Sequence, residues 1–362
     1  MKVLILSNFA NGLILFRGEL ITELLAEGYS VVISVPEDGK AQVLKEMGAR
    51  VIFSSLERRG MNPLRDLKLL AEYLCLLGKE KPDMVLTYTI KPNLYGGLAC
   101  RLRRIPYLVN ITGLGTAIEN EGLLAKLLLR FYKAAVKRAA CVFFQNSENQ
   151  TYMQSRGIGV KNGCLLPGSG VNLTAHPYEQ YPSEKDGIRI LAVLRIMKAK
   201  GVEEYFQAVE SISRSHPHVS FALVGDYEEE SRSRYEPMVR ELVDKGILKY
   251  YGQIDDVAKV MAQSHIIVHP SYHEGLSNVC LEAAACGRPV LTTNVPGCRE
   301  TVNENSGLLF EPGSSRSLIQ SIERILQLDA RGRAQMGAAG RQYVTERFDR
   351  DLVIRVYREM IC

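Results

Sequence analysis

What this chain of 362 residues has little of narrows the field before any motif is read. No uninterrupted apolar run approaches the ~20 residues that a membrane-spanning helix needs. The opening stretch from Met1 to Phe16 resembles a secretory leader in outline. Asn8 and Asn11 interrupt it, however, and no small-residue cleavage site precedes Arg17 and Glu19, so a buried strand running into a loop is expected. The eight cysteines (75, 100, 141, 164, 280, 286, 298, 362) stand singly, mostly in apolar surroundings, without paired spacing. That pattern predicts buried, reduced thiols in a cytoplasmic protein and argues against a disulfide framework or a zinc site. Asp-x-Asp occurs once, at Asp349-Arg350-Asp351, where it opens the last helix; Asp is common there, and no metal–nucleotide site is expected. His265, His269 and His273 repeat every four residues, but Pro270 and β-branched neighbours make the segment strand and loop, where that spacing does not converge on a metal. Basic clusters come without interleaved aromatics, which disfavours nucleic acid as a partner.

What is present is a βαβ rhythm that runs twice. The length favours two domains, and 46% hydrophobic with 23% charged residues is the balance of a soluble globular protein. Strand-like runs are expected near residues 3–6, 31–35, 51–54, 84–88, 107–111 and 141–145, with helical stretches near 18–27, 41–47, 63–78 and 94–103 between them. After the polar stretch 176–187 the rhythm restarts, with strands near 189–194, 220–224, 248–251, 266–269, 289–292 and 307–310. Apolar strands alternating with helices predict parallel sheets covered on both faces, with ligands at the strand C-terminal edges.

The most informative residues are Glu274 and Glu282, eight positions apart in Tyr272-His-Glu-Gly-Leu-Ser-Asn-Val-Cys-Leu-Glu282. The run follows a strand and turns into a helix, so one carboxylate lies at the strand end and the other inside the helix. Carboxylates accept hydrogen bonds from vicinal hydroxyls. The backbone N–H groups of Gly275, Leu276, Ser277 and Asn278 at the helix start suit anions. Upstream, Arg195 and Lys200 in Leu194-Arg-Ile-Met-Lys-Ala-Lys-Gly201 place two cations at another strand end and the next helix start.

With that basic pair, the Glu-x7-Glu run resembles the retaining glycosyltransferases of family 4. The resemblance is strongest over 160–312 and extends in element order over the whole chain. It implies an α/β chain of the GT-B fold: two doubly wound, Rossmann-like domains facing across a cleft. The expected division is an acceptor-side domain over 1–167, a nucleotide-sugar domain over 168–342, and a last helix over 343–362 packing back on the first domain. The implied roles are catalytic for Arg195, Lys200 and Glu274, with Arg195 and Lys200 neutralising the leaving diphosphate without a metal. Glu274 would hold donor-sugar hydroxyls, Glu282 the ribose, and the backbone near Ile254 the uracil; Asp256 caps the next helix. Loss of Lys200 should cost activity, and little stability if its side chain is in an open cleft. Gly168-Ser-Gly-Val-Asn172 matches the family's Gly-Val-Asp/Asn hinge segment.

On the acceptor side the resemblance implies Asn11 and Gly12 in a loop after the first strand, together with Arg17, Lys91 and Thr112. The loop has one glycine where the family is glycine-rich, and Thr112 stands where many relatives carry histidine. Thr87-Tyr-Thr-Ile-Lys-Pro-Asn-Leu-Tyr-Gly96 resembles a stretch of bacterial capsule, O-antigen and lipid-linked oligosaccharide transferases, in which Lys91 would meet an acceptor diphosphate.

The implied reaction moves a sugar, expected to be an N-acetylhexosamine, from a UDP-sugar to a polyprenyl-diphosphate-linked saccharide, with no cofactor. A UDP-sugar 2-epimerase of related architecture is the rival enzyme, and a non-catalytic nucleotide-sugar-binding protein the rival of another class. Residues 1–167 carry a net +8 and the remainder −3. The stretch Glu121–Arg138 sets Lys126, Arg130, Lys133 and Lys137 at helical spacing beside Leu123, Leu124, Leu127, Leu128 and Phe131. It reads either as a helix lying on an anionic membrane or as a core-facing helix with a solvated basic face. Arg58-Arg59 and Arg101-Leu-Arg103-Arg104 tilt the balance toward a membrane or a phosphate-bearing partner, and the protein is expected in the cytoplasm, peripheral on the inner face of the plasma membrane.

Overall fold

The computed structural model describes residues 1–57, 62–114, 118 and 122–361. The chain divides into two units, Met1–Ser169 with Val353–Cys362, and Gly170–Leu352. The return to the first unit therefore begins at Val353, ten residues later than the expected 343.

In the first unit, strands β1 (Lys2–Leu6), β2 (Ser30–Val35), β3 (Arg50–Phe53), β4 (Met84–Tyr88), β5 (Tyr107–Ile111), β6 (Cys141–Phe144) and β7 (Gly163–Leu165) form one parallel sheet, ordered β3-β2-β1-β4-β5-β6-β7. Alternate residues feed opposite cores: Leu4 and Leu6 pack in one, Val3 and Ile5 in the other. Burial on both faces explains why β1, β2, β4, β5 and β6 read as continuous apolar runs. The short β7 carries too few apolar residues to stand out in the sequence.

The first helix, Ala10–Ala26, starts eight residues before the expected Gly18. Its N-terminus is capped from a distance: the Ala10 N–H donates to Asp38 Oδ2 at 2.6 Å. Asn11 and Gly12 consequently lie in the first turn of a helix, not in a loop, and a Cβ on Gly12 would sit within 2.2 Å of the Phe9 ring. The C-terminal helix contributes Tyr357, fully buried against Phe143 and hydrogen-bonded to Asn110 Oδ1. Arg17 is buried between the rings of Tyr88 and Tyr357, at 5.1 and 5.5 Å.

The helix Leu123–Val136 turns Ala125, Tyr132, Ala135 and Val136 inward. Leu123, Leu124, Leu127 and Phe131 are exposed instead of core-facing, beside exposed Lys126, Arg130, Lys133 and Lys137. Arg101 is partly structural, donating to the Ala134 carbonyl at 3.0 Å. Arg58 and Arg59 lie outside the described residues, as does Glu121. The described cysteines are free thiols; most are buried, but Cys75 is exposed, because it falls on the outer face of the helix Pro63–Glu80.

In the second unit, β8 (Ile188–Val193), β9 (Val219–Val224), β10 (Leu248–Tyr250), β11 (Ile266–His269), β12 (Val290–Thr293) and β13 (Gly307–Phe310) form a parallel sheet ordered β10-β9-β8-β11-β12-β13. The expected last helix is two helices, Ala330–Phe348 and Arg350–Ile361. Arg341 is inside the first of these, where its guanidinium donates to the carbonyls of His176 and Ala285. The break at Asp349 is made by Val171, whose N–H donates to Phe348 O and whose carbonyl accepts from Arg350 N–H. Gly170 permits that approach: its φ is +65°, and a Cβ there would lie 2.5 Å from Arg350 Cα.

Candidate active site

Both strands that flank the switch point of the second sheet, β8 and β11, carry predicted residues just past their C-terminal ends. Strand order reverses between them, which opens a crevice at that edge. Beyond β8 the chain forms the short turn Lys198–Lys200 and then Gly201, with φ +68°. A Cβ on Gly201 would lie 2.0 Å from the Pro270 carbonyl oxygen, so only glycine lets the β8 turn lie on the loop after β11. The Tyr272 N–H donates to Ala199 O at 3.0 Å and fastens the two loops together.

That contact brings Lys200 to Glu274, residues 74 positions apart. The Lys200 ammonium lies 2.5 Å from Glu274 Oε1 and 3.3 Å from Ser271 Oγ. His269, the last residue of β11, donates from Nε2 to the same carboxylate oxygen at 2.9 Å; an ionised carboxylate can only accept, so the proton is on Nε2. Burial works to raise the Glu274 pKa, but the His269 hydrogen bond and the Lys200 charge outweigh it and hold it at about 2. Glu274 is therefore a fixed anion and a weak base. The pair is only about 17% exposed on each side chain, so Lys200 is a partner in a mostly buried ion pair, not a cation in an open cleft, and its removal costs stability.

The loop from Glu274 into the helix Asn278–Ala285 is held from behind. Ser277 Oγ caps the helix by accepting from Cys280 N–H, and the Ser277 N–H donates to Gly297 O at 2.7 Å. That N–H is thus committed and unavailable to an anion, and Leu276 packs its side chain into the core. Gly297, at φ +80°, has no room for a Cβ, which would meet the carbonyl oxygens of Glu274 and Gly275 at 2.6 Å.

Glu282 lies in that helix with its Oε1 4.0 Å from His176 Nε2. Burial pushes its carboxyl up to about 7, against a lowering influence from Arg350. Two glutamates of one motif thus sit in opposite electrostatic environments. Arg195 pairs with Glu228 at 2.9 Å, on a guanidinium still 55% exposed. Its place follows from a bridge between Ile196 and Tyr227, and from Gly225, whose absent Cβ would meet Leu194 O at 1.9 Å. Ile254 is half-buried in the loop after β10, and Asp256 caps the helix Val257–Ala262 by accepting from Lys259 N–H. His265 Nδ1 accepts from the Arg189 N–H, so it and His269 serve different partners.

The sequence brought up His269 only in rejecting a metal site and gave no sign of Ser271, Thr293 or Gly297. Thr293 donates its hydroxyl to Ser271 O at 2.5 Å and so supports the loop that carries Glu274. In the first unit, Lys91 and Thr112 line one cavity, whereas Asn11 and Gly12 are in the helix start and Arg17 is in the core.

Residues 178–343 match the model for glycosyl transferases group 1, and residues 2–146 the glycosyl transferase 4-like model. The chain is similar to an N,N'-diacetylbacillosaminyl-diphospho-undecaprenol alpha-1,3-N-acetylgalactosaminyltransferase from Campylobacter jejuni, with 28% identity across 90% of each chain. It is also similar to a UDP-Gal:alpha-D-GlcNAc-diphosphoundecaprenol alpha-1,3-galactosyltransferase from Escherichia coli, with 26% identity over 83% of this chain and 80% of that one. Among solved structures, Anabaena Alr3699/HepE in complex with UDP aligns with a TM-score of 0.83 over 100% of this chain and 99% of the other, at 19% identity. That likeness establishes the two-sheet GT-B fold.

Proposed function

The chain belongs to the group 1 glycosyl transferases, and from that premise we propose a retaining, metal-independent enzyme that moves an N-acetylhexosamine from a UDP-sugar to a polyprenyl-diphosphate-linked saccharide. The observation that carries the proposal is the Lys200–Glu274–His269 cluster at the switch point of the second sheet. The names of the Campylobacter and Escherichia relatives supply the acceptor class, and the Escherichia name and the Anabaena complex supply the uridine nucleotide.

Lys200 has three N–H donors, and Ser271 and Glu274 take two; the third is directed to a phosphate oxygen of the donor. Arg195 adds a second cation, so the diphosphate charge that grows as the anomeric C–O bond breaks is met by protein groups. Glu274, locked as an anion by two donors, is a poor nucleophile and a good acceptor for sugar hydroxyls. Glu282 accepts from the ribose, and the backbone near Ile254 faces the base. The bond from the anomeric carbon to the UDP oxygen breaks, and the acceptor oxygen bonds on the same face. The acceptor proton leaves with the departing phosphate.

The first unit meets the membrane. Leu123, Leu124, Leu127 and Phe131 stand exposed among four exposed cations, the pattern of a helix lying in an anionic interface. Among the described residues no helix is long and apolar enough to cross a bilayer, so peripheral attachment on the cytoplasmic leaflet fits.

The test is a panel of UDP-sugars screened by thermal stabilisation, and then transfer to prenyl-diphosphate saccharides in EDTA, with the product anomer read by NMR. A retained anomeric configuration in EDTA is the expected result. Turnover that needs Mg²⁺ or Mn²⁺, or an inverted product, would refute the mechanism.

A further inference from the structure

The first sheet has its own switch point, between β1 and β4. There, Asn8 beyond β1, Thr89 and Lys91 beyond β4, and Thr112 and Gly113 beyond β5 line a cavity of about 260 Å³, large enough for one pyranose ring. Three observations set this cavity apart.

First, Thr89 is strained. Among the described non-glycine residues with positive φ, Lys81 and Arg104 close helices, where the left-handed conformation is ordinary. Thr89, at φ +73°, closes none, and a β-branched residue is costly there. A buried amide network just beyond it holds it in place. The π-helical turn Pro92–Gly96 carries the buried Asn93, whose side chain accepts from Thr87 Oγ1 and donates to Asn110 O, both at 2.8 Å. Second, Thr89 Oγ1 and Asn8 Oδ1 are both buried with no hydrogen-bond partner among the described residues. Third, the cation on the wall is already neutralised, since Lys91 Nζ lies 2.9 Å from Asp66 Oδ1 with both side chains mostly buried.

We propose that this cavity is a neutral-sugar subsite, in which Thr89 and Asn8 hydrogen-bond the hydroxyl or acetamido groups of one uncharged ring of the acceptor saccharide. Both residues line the cavity, and their buried, unpaired polar atoms are costly until a side-chain rotation lets a ligand supply the missing partner. A strained residue kept in place by a buried amide network is a preorganised contact. A diphosphate would have to displace Asp66 from Lys91, whereas a neutral sugar takes the remaining Lys91 donors without breaking the pair. The inference rests on the glycosyltransferase reading for the word acceptor, and it reassigns Lys91 from diphosphate to saccharide.

The test reads binding without turnover, by saturation-transfer NMR on the full chain with N-acetylglucosamine, N-acetylgalactosamine and glucose as probes and inorganic pyrophosphate as competitor. Gly113→Leu fills the cavity without backbone strain, because no described residue lies within 4 Å of a Cβ at Gly113 and its φ is not positive. Thr89→Val keeps the shape and deletes the orphan hydroxyl, so its Tm should equal or exceed the parent's. Expected are a sugar signal lost in Gly113→Leu, at least tenfold weaker affinity in Thr89→Val, and no displacement by pyrophosphate. No sugar signal, a signal indifferent to both substitutions, or displacement by pyrophosphate would overturn the subsite. Saccharide transfer at the parental acceptor KM in Gly113→Leu would sink the subsite and leave the enzyme standing. Sugar binding at the cavity without any transfer would sink the enzyme instead.

Discussion

Each unit places polar residues at the switch point of its own parallel sheet, yet the two places differ in charge. In the second unit the edge beyond β8 and β11 holds a cation and a fixed anion, with Arg195 and Glu282 on neighbouring elements. In the first unit, the edge beyond β1 and β4 holds amide and hydroxyl groups and one lysine cancelled by Asp66. Similar topology thus carries different side-chain chemistry. A charged crevice suits a nucleoside diphosphate, and a neutral one suits a saccharide. The fold supplies the crevice, and the side chains at its strand ends decide what enters.

The sharpest break of this comparison is at Lys200. Lys200→Ala should lower kcat/KM by ~10²-fold or more, since one electrostatic donor to a developing oxyanion contributes a few kcal/mol. It should also destabilise the protein by roughly 2 kcal/mol, less than for a fully buried pair, by leaving Glu274 to His269 alone. Thermal denaturation beside steady-state kinetics checks both, and unchanged kinetics would remove Lys200 from the chemistry.

A smaller effect separates the two glutamates. The Glu282 carboxyl, raised in the folded chain to about 7, contributes stability that is full below its ordinary carboxylate pKa and is lost as pH rises through 7. Ribose recognition by the ionised form runs the other way, so UDP affinity should climb several-fold between pH 6 and 8. Glu282→Gln should flatten the climb and gain stability relative to the parent at pH 8. Glu274, held at about 2, should contribute no titration in that window; its stabilising contribution is lost only as pH falls from the usual carboxylate range towards 2. A pH-dependent affinity that survives in Glu282→Gln would assign the titration elsewhere.

The smallest expected change concerns the helix Leu123–Val136. Changing Lys126, Arg130, Lys133 and Lys137 together to Gln should reduce sedimentation with anionic vesicles, most clearly at low salt, and leave UDP-sugar affinity unaltered. Vesicle binding that is absent in the parent or unaffected in the variant would leave the exposed leucines unexplained by lipid.

Much of this organisation is legible in the sequence. Strands buried on both faces are written as continuous apolar runs, so both sheets emerge within a residue or two of their observed limits, apart from the three-residue β7. The Glu-x7-Glu and Arg-x4-Lys-Gly motifs point to one sheet edge because each follows a strand. What a linear reading misses is set by partners far away in the chain. The first helix begins early because Asp38 caps it, and Arg17 is buried because Tyr357 returns from the C-terminus to cover it. The last helix breaks at Asp349 because Val171 pairs across it. Lys200 is mostly buried because Gly201 admits Pro270. Thr89 adopts its left-handed conformation because Asn93 and Asn110 fix the turn behind it, which local propensity does not encode.

The division of labour between the two switch points is tested most directly by calorimetric titration of UDP-N-acetylhexosamine into the parent chain, Lys200→Ala and Thr89→Val. Affinity should fall at least tenfold in Lys200→Ala and be unchanged in Thr89→Val. Equal losses in both variants, or a loss in Thr89→Val alone, would contradict the account.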